Sequence, residues 1–340
     1  MHAIRALFFV ASAHALNVAV TGATGRTGRL VVDSLLAAGH EVTALSRDEA
    51  KAKETLPAAV DIKLLDLATA TRGEMRTACA DCTKLIWCAT GFTESGESLD
   101  VRGMGDLLPA LDGVWRGKKD GAPSVLMLSS AGVSRPDWDD AKKERLIGAS
   151  DIPIIRLNPG GILGKKCEAE ELLRKSGLPY SVVRPTGLKF EDWPRGRPIL
   201  TQGDVAVGRT NPYDLADHLV ELLEQPAASG KTHEYFTLAG YPKPRDLSPA
   251  LERLQLDADG PIDEAAVTAT YAALQQCLPG EEQDATKLEM GRTYEQLDKG
   301  SVVPRQRGAA PTEREKALAD GVAGGKRAGV RRFFRRLVGA

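Results

Sequence analysis

A glycine-rich loop that follows an apolar strand and opens a helix constrains the fold of this chain more than any other feature. The loop reads Thr21-Gly22-Ala23-Thr24-Gly25-Arg26-Thr27-Gly28, the strand before it runs from Leu16 to Thr21, and a helix is predicted from Gly28 to Ala38. A pyrophosphate requires backbone N–H groups and a helix N-terminus directed at it, and only glycine lets the backbone come so close. A tight turn without a ligand is the alternative. We predict a dinucleotide site formed by Gly22, Thr24, Gly25, Arg26, Thr27 and Gly28.

Apolar runs of strand length alternate with amphipathic helical stretches over the first part of the chain, as is typical of βαβ units and a parallel sheet. The first five predicted strands are Leu16 to Thr21, Glu41 to Ser46, Asp61 to Leu65, Lys84 to Cys88 and Ser124 to Ser129. The later predicted elements are a helix from Cys167 to Lys175, a strand from Tyr180 to Arg184, a helix from Pro212 to Leu223, a strand from Glu234 to Leu238 and a helix from Ile262 to Leu278. The predicted fold class is α/β, a doubly wound parallel sheet of the Rossmann, NAD(P)-binding type, with a small C-terminal lobe and a partly disordered tail.

The character of the sequence changes along the chain, and this predicts five segments. Prolines cluster after Tyr241, and beyond Gly280 the polar sequence carries no sustained period. The predicted segments are a signal or targeting segment at 1–15, the Rossmann domain at 16–240, a helical extension at 241–279, a linker or disordered stretch at 280–325 and a basic amphipathic tail at 326–340.

The end of the second predicted strand indicates which dinucleotide is bound. A carboxylate there accepts a hydrogen bond from the ribose 2′-hydroxyl of NAD, whereas an arginine pairs with the 2′-phosphate of NADP. This chain has Ser46-Arg47 at that point, so NADP(H) is the predicted cofactor. Arg26 is a candidate for a second guanidinium on the phosphate, with a solvated loop arginine as the alternative.

Two further loops follow predicted strands and fall at the edge where an open α/β sheet binds ligands. Asp66-Leu67 comes after the third strand, and Ala89-Thr90-Gly91 comes after the fourth. We predict that all five residues line the cofactor, although either group is also compatible with a simple strand ending.

Three segments together are similar to one family. TGATGRTG, the pair Ser129-Ser130 and the stretch SGLPYSVVRP at 176–185 resemble an atypical short-chain dehydrogenase/reductase of the NmrA-like, NAD(P)H-binding group. The resemblance spans roughly Asn17 to Leu238. It implies the strand order 3-2-1-4-5-6, with Pro185-Thr186-Gly187 near the nicotinamide end, and a short C-terminal lobe over the substrate cleft. Ser129, Pro185 and Thr186 are the cofactor-binding residues that we predict in this part of the chain.

The resemblance also implies a catalytic set, of which one member is missing. Active members use a Tyr as proton donor four residues before a Lys, together with a Ser that positions the substrate carbonyl. Lys166 and Ser130 match the Lys and the Ser, with Ser129 as an alternative Ser, but Ile162 occupies the Tyr position. An exposed helix lysine and a turn serine are the plainer interpretations. Tyr180 is interpreted as strand core.

Two functions therefore stay open. One is an NADPH-dependent oxidoreductase acting on a small carbonyl or enone, and the other is a non-catalytic NADP(H)-responsive regulator or scaffold. A nucleotide-sugar or isoprenoid-modifying enzyme of the extended group is a third hypothesis. It needs a catalytic acid that the match to the family does not supply.

Charge and cysteine content exclude other classes of function. The last fifteen residues carry six Lys or Arg and no acid, and the other 325 carry 39 basic against 46 acidic residues. A chain-wide nucleic-acid groove is therefore not expected. The five cysteines do not form a disulfide framework, Cys79-Ala80-Asp81-Cys82 is interpreted as buried core, and no His–Cys spacing predicts a metal site.

The two ends of the chain carry signals of their own. Met1 to Ala15 combines Arg5, an apolar run and Ala13-His14-Ala15, as in a short secretory signal. An organellar destination, with the plastid suspected, is expected from it. A disordered extension or a misplaced start codon, in a cytoplasmic protein, is the alternative. At 326–340, five apolar and four arginine side chains fall on opposite faces of a predicted helix. Such a helix suits an anionic membrane surface or an acidic partner, and a frayed terminus is the alternative.

Overall fold

The computed structural model describes residues 15–115, 120–190 and 193–275. Its strands are β1 (Asn17–Thr21), β2 (Glu41–Ser46), β3 (Asp61–Leu64), β4 (Lys84–Trp87), β5 (Val125–Leu128), β6 (Tyr180–Pro185), β7 (Gly187–Leu188), β8 (Gly196–Thr201), β9 (Arg209–Thr210) and β10 (Lys231–Ala239). Its helices are α1 (Arg26–Ala37), α2 (Glu49–Thr55), α3 (Arg72–Ala78), α4 (Leu99–Trp115), α5 (Asp140–Arg145), α6 (Ile147–Ser150), α7 (Pro153–Leu157), α8 (Ile162–Lys175), α9 (Pro212–Leu222), α10 (Ser248–Glu252) and α11 (Glu264–Gln275). The predicted segment at 1–15 (except Ala15), the linker at 280–325 and the tail at 326–340 lie outside these residues.

Eight strands form one sheet in the order β3-β2-β1-β4-β5-β6-β10-β8. The first six confirm the order that the family resemblance implied, and the sheet continues with β10 and β8, which pair antiparallel. Strand β1 pairs in parallel with β2 on one side and with β4 on the other, so that Thr21 lies opposite both Leu45 and Trp87. The α/β fold class is confirmed.

The described residues belong to two compact units. The first unit contains the chain up to Leu128, Glu168–Val182 and Pro212–Gly230; the second contains Ser129–Cys167, Val183–Asn211 and the chain from Lys231. Each unit has its own core. Trp87, Met104 and Trp115 are central in the first core, whereas Phe236 and Tyr271 are central in the second.

Parallel strands that are covered on both faces consist of apolar residues throughout, because neither face meets water. Strand β5 is buried at every position, and so is β4, where the stem of Lys84 is covered and its ammonium group pairs with Asp120 at 2.6 Å. These strands set the edge at which the candidate site lies. None of the helices within the described ranges is both long and apolar enough for a membrane crossing.

Most predicted elements are present, with bounds that move by a few residues. Helix α1 begins two residues before the predicted start, at Arg26, and α8 begins five residues early, at Ile162. Strand β10 is nine residues long rather than five. The strand β8 and the small parallel sheet of β7 and β9 were not predicted.

Candidate functional site

The loop between β1 and α1 has no room for side chains at its first glycine. Gly22 has φ +64°, a region that favours glycine, and a Cβ there would lie 2.7 Å from the backbone nitrogen of Ala89. The N–H of Gly25 donates to the carbonyl oxygen of Gly22 at 2.9 Å, which closes a tight turn. The lack of a side chain at Gly22 thus lets the loop pack directly against the backbone that follows β4.

The start of α1 is suited to an anion. Gly25 occupies the N-cap position and supplies no side-chain acceptor, and α1, which lies wholly within the described residues, has no acid in its first turn. The first N–H groups of an α-helix lack partners inside the helix, and the helix dipole favours negative charge there. Gly28 packs against the backbone of Gly22, so the N-terminus of α1 stays in contact with the loop.

Thr21 holds the loop against the neighbouring strand, a role that the sequence prediction missed. Its side chain is fully buried, and its hydroxyl oxygen accepts hydrogen bonds from the backbone N–H groups of Cys88 at 3.2 Å and Ala89 at 3.3 Å. The only feature of the sequence that could have indicated this role is that a threonine is the last residue of the strand before the glycines.

The loop after β2 presents one arginine to solvent. The Ser46 hydroxyl is buried, donates to the carbonyl oxygen of Asp48 at 3.0 Å and accepts from its N–H at 3.2 Å. The Asp48 carboxylate accepts from the N–H of Lys51 and caps α2. Arg47 is exposed, and within the described part of the chain no hydrogen bond or ion pair engages its side chain. Its guanidinium is therefore available to a ligand.

The loop after β3 lies next to the loop after β2, because Leu65 donates its N–H to the carbonyl oxygen of Ser46 at 2.8 Å. The Asp66 carboxylate accepts from the N–H of Ala68 at 2.9 Å and so forms a turn of its own. Leu67 is buried in the core of the first unit. These contacts fit the simpler strand-ending interpretation as well as a cofactor role.

The loop after β4 is fixed to the helix that follows it. The Thr90 hydroxyl donates to the buried Asp100 carboxylate at 2.9 Å, and the Gly91 carbonyl oxygen accepts from the N–H of Leu99. Gly91 has φ +125°. Because β3, β2, β1 and β4 are consecutive neighbours, their carboxyl ends bring the predicted residues of the first unit together on one edge. Those residues are Gly22, Thr24, Gly25, Arg26, Thr27, Gly28, Ser46, Arg47, Asp66, Leu67, Ala89, Thr90 and Gly91.

The other predicted residues belong to the second unit and lie on the segment that follows β5, at the end of β6 and at the start of α8. Ser129 donates its N–H to Val183, and Ala131 donates its N–H to Pro185. Ser129 is buried, whereas Ser130 between them is half-buried and donates its hydroxyl to the Ala131 carbonyl oxygen at 3.1 Å. Ser130 is the more accessible of the two serines.

The side chain of Thr186 has a structural role. Its hydroxyl is buried and lies 3.1 Å from that of Thr210, which in turn donates to the carbonyl oxygen of Tyr235 at 3.0 Å. The N–H of Thr186 donates to the same carbonyl oxygen at 2.9 Å. These bonds hold the end of β6 beside β10, so a cofactor contact at this position is more readily made by backbone than by the hydroxyl.

Helix α8 carries both Ile162 and Lys166, four residues apart and hence on one face. Lys166 is buried rather than exposed, and Ile162 is half-buried. Asn158, with φ +27°, accepts the N–H of Leu163 on its side-chain oxygen at 3.1 Å and so stabilises the start of the helix. The hydroxyl that the family places here is absent, while the lysine is held within the protein.

A buried charged cluster anchors the loop that carries Ser130, and sequence patterns did not reveal it. The Asp204 carboxylate accepts from the N–H of Gly132 at 2.6 Å and from the N–H and hydroxyl of Ser134 at 2.9 and 2.7 Å. Arg135, fully buried, donates to the Asp204 carbonyl oxygen at 2.6 Å, and Glu234 accepts the Asp204 N–H at 2.7 Å. Burial raises the pKa of Glu234, and the Asp204 carboxylate raises it further.

Cys79 and Cys82 are buried in the first core, as predicted. Burial, with a smaller contribution from Cys82, raises the pKa of the Cys79 thiol to about 12, and burial also raises the pKa of Cys82. Neither thiol has the depressed pKa of a redox pair. Across residues 15–115, 120–190 and 193–275, no group of three or more His, Cys, Asp or Glu is arranged to hold a metal ion.

A family model described as NAD(P)H-binding matches residues 22–226, which include Gly22 to Gly28 of the glycine loop and the strands β2 to β9. The chain belongs to this NAD(P)H-binding family. The match confirms the resemblance to atypical short-chain dehydrogenase/reductases of the NmrA-like group.

One curated relative and two solved structures are similar to this chain. An uncharacterised chloroplast protein of Arabidopsis thaliana is 31% identical over 236 residues, covering 67% of this chain and 79% of the relative. An oxidoreductase of Lactococcus lactis is similar in structure, with a TM-score of 0.53 and 20% identity over 73% of this chain and all of that one. An anaerobillin reductase of Escherichia coli O157:H7 gives a TM-score of 0.50 and 20% identity over 66% of this chain and 99% of that one. The two structures share the fold.

Proposed function

We propose that this protein is an NADPH-dependent oxidoreductase that reduces a small carbonyl or enone. The observation that carries the cofactor preference is the exposed guanidinium of Arg47 after β2, which no described residue engages, together with the use of the neighbouring acid, Asp48, as a helix cap. A 2′-phosphate attracts a planar guanidinium, which binds it with two hydrogen bonds. Arg26, also exposed at the start of α1, is the candidate for a second phosphate contact.

The residues have distinct roles in this proposal. The N–H groups at Gly25 to Gly28 and the start of α1 bind the pyrophosphate, and Ser130 donates its hydroxyl to the substrate carbonyl oxygen. Lys166 stabilises negative charge from within the protein. When bound, NADPH supplies the hydride. The proton that completes the reduction comes from water, from a substrate hydroxyl or from a residue outside the family's catalytic set, because Ile162 carries none.

The cofactor preference is tested by titrating NADPH and NADH into wild type, Arg47→Lys and Arg47→Asp. The Lys variant keeps the charge but loses the paired hydrogen bonds, so we expect an NADPH affinity loss of roughly tenfold or less. The Asp variant should lose at least about fiftyfold, since it adds a repelling carboxylate, and should gain affinity for NADH. Unchanged NADPH affinity in Arg47→Asp would show that Arg47 does not bind the phosphate.

Catalysis is tested by incubating the full chain with NADPH and a panel of aldehydes, ketones and enones. We expect oxidation of NADPH with at least one member, and a loss of roughly a hundredfold or more in Ser130→Ala, with nucleotide affinity retained. Binding of NADPH without oxidation above background by any compound would count against an enzyme.

The absence of the family's proton donor favours a second candidate function, a non-catalytic NADP(H)-responsive regulator. In this proposal the basic segment at 326–340, which lies outside the described residues, docks the protein to a membrane or partner. Binding to vesicles with anionic lipids would then differ between the apo, NADP⁺ and NADPH states. Identical binding in all three states would remove the sensing role.

A plastid location is proposed from the Arabidopsis relative, whose description is chloroplastic. The signal-like start at Met1 to Ala15 is consistent with organellar targeting. A C-terminal fluorescent fusion of the full chain should colocalise with chlorophyll. Diffuse cytoplasmic fluorescence would support the alternative.

A further inference from the structure

The reversal of strand order at β1 and β4 defines where a ligand lies in this sheet. Strands β2 and β3 extend to one side of β1, and β4 and β5 extend to the other. Ligands of open α/β sheets bind outside the carboxyl ends of the strands at such a switch point. The segment that follows β4 therefore borders the same ligand as the loop that follows β1. The two loops are in contact, because a Cβ added to Gly22 would lie only 2.7 Å from the backbone nitrogen of Ala89.

One large apolar side chain is exposed on the segment after β4. Phe92 retains 36% of its accessible surface. Among the described residues of the first unit, the other exposed large apolar side chains are Leu64 and Tyr213, which are more exposed than Phe92, but neither follows the carboxyl end of β1 or β4. An aromatic ring left in water at a ligand-binding edge is available for contact with the ligand.

Phe92 is held by a tight hairpin. It pairs with Ser98 in an antiparallel bridge, and the N–H of Thr93 donates to the Glu97 carbonyl oxygen at 2.8 Å. Gly96, with φ +82°, makes the turn, and the Arg102 guanidinium bonds the Glu97 carboxylate at 3.0 Å. Holding the ring in advance lowers the entropic cost of binding against it.

The strand order also indicates which half of the dinucleotide meets this ring. Arg47 marks the β2 side, where the proposed 2′-phosphate and its adenosine lie, and the glycine loop at β1 takes the pyrophosphate. The remaining half continues toward β4 and its hairpin. That half contains the nicotinamide ring and its ribose.

We propose that Phe92 packs against the nicotinamide–ribose half of the bound dinucleotide and contributes to affinity for that half alone. The direction of the cofactor in this inference rests on the proposed role of Arg47. The nucleotide site on which it depends is the family's NAD(P)H site.

The test measures the affinities of NADPH and of 2′,5′-ADP, which lacks the nicotinamide half, by calorimetric titration of wild type and Phe92→Ala. We expect Phe92→Ala to weaken NADPH binding roughly five- to twentyfold and to leave 2′,5′-ADP binding within twofold. Phe92→Tyr keeps the ring and should restore NADPH affinity. Leu64→Ala, which truncates an exposed apolar side chain of the edge strand β3, is the matched control and should change neither affinity.

Each other outcome has a defined meaning. Equal losses for NADPH and 2′,5′-ADP would show that the hairpin supports the site only structurally, and no loss for either would show that Phe92 does not touch the cofactor; both results overturn the inference. If wild type prefers NADH, the proposed cofactor preference fails, and the same comparison made with NADH and AMP still decides the role of Phe92. Wild-type protein that binds no nucleotide would overturn both proposals.

Discussion

A Cβ atom on residue 28 would overlap the carbonyl oxygen of Gly22, so α1 reaches the loop before it only because Gly28 has no side chain. We predict that Gly28→Ala lowers NADPH affinity at least tenfold and reduces the free energy of unfolding by about 1–3 kcal/mol, because the overlap with backbone cannot be relieved by rotating a side chain. Nucleotide titration and urea denaturation measure the two effects.

Gly73 provides the control for this substitution. It lies in α3, where a Cβ would be 3.9 Å from its nearest neighbour, the Thr71 hydroxyl. Gly73→Ala should stabilise the fold by about 0.5–1 kcal/mol, because alanine is the better helix former, and should leave NADPH affinity unchanged. Wild-type affinity in Gly28→Ala would show that the contact with Gly22 is not needed for binding.

Local signals were sufficient to predict the part of the fold that carries the nucleotide site. Strand β2 was predicted with its observed bounds, since an apolar run between Gly39 and the turn at Arg47 depends on neighbouring residues only. That the loops after β1, β2, β3 and β4 lie at one edge of the sheet could also be predicted, because parallel strands place their carboxyl ends together. The roles of the individual residues in those loops stay predictions.

Features that depend on distant residues were not predictable. Strand β8 pairs with β10 more than thirty residues later, and its proline and arginine give no clear strand signal. The Asp204 cluster joins three chain segments, and Asp204 itself has φ +58° because its backbone is held by Glu234 and Arg135. The early start of α8 has a local cause instead: Asn158 accepts the N–H of Leu163, although the proline and glycines that follow Asn158 indicate a turn rather than the start of a helix.

Replacing Ile162 by tyrosine tests whether the missing proton donor limits catalysis. The substitution places a hydroxyl four residues before Lys166 on the same face of α8. We predict an increase of at least tenfold in NADPH oxidation with the best carbonyl substrate, since a positioned general acid contributes about 10²–10⁴ in rate. Ile162→Phe, which adds the ring without the hydroxyl, should show no gain. Equal rates in the Tyr and Phe variants would show that proton supply is not the limit.

Asp204 stabilises the second unit through bonds that only a carboxylate can make in full. Its oxygens accept hydrogen bonds from Gly132 and Ser134, and an amide would turn a donor toward one of these N–H groups. We predict that Asp204→Asn lowers the free energy of unfolding by about 2–4 kcal/mol in urea denaturation. Asp257→Asn, at a half-buried carboxylate that bonds Thr232 in a similar way, should cost about 1 kcal/mol. Equal losses in the two variants would contradict a special role for the cluster.

His233 makes stability depend on pH on the acid side of neutrality. It is fully buried, and burial lowers its pKa from 6.5 to about 4. Because the unfolded chain binds a proton below pH 6.5 and the folded chain does not until about pH 4, His233 contributes stability that is complete above pH 6.5 and is lost as the pH falls toward 4. The full loss amounts to about 3 kcal/mol. The raised pKa of Glu234 affects stability in the opposite direction, because the stabilisation that comes from its protonated form is lost as the pH rises.

The free energy of unfolding should therefore fall between pH 7 and pH 4.5 in wild type and fall much less in His233→Gln, because glutamine does not take up the proton. Urea denaturation at four pH values across this range measures the slope. His40 serves as the comparison, because burial lowers its pKa too, but less, and His40→Gln should remove only a small part of the slope. Parallel pH profiles for wild type and His233→Gln would show that the burial of this imidazole does not account for the acid sensitivity.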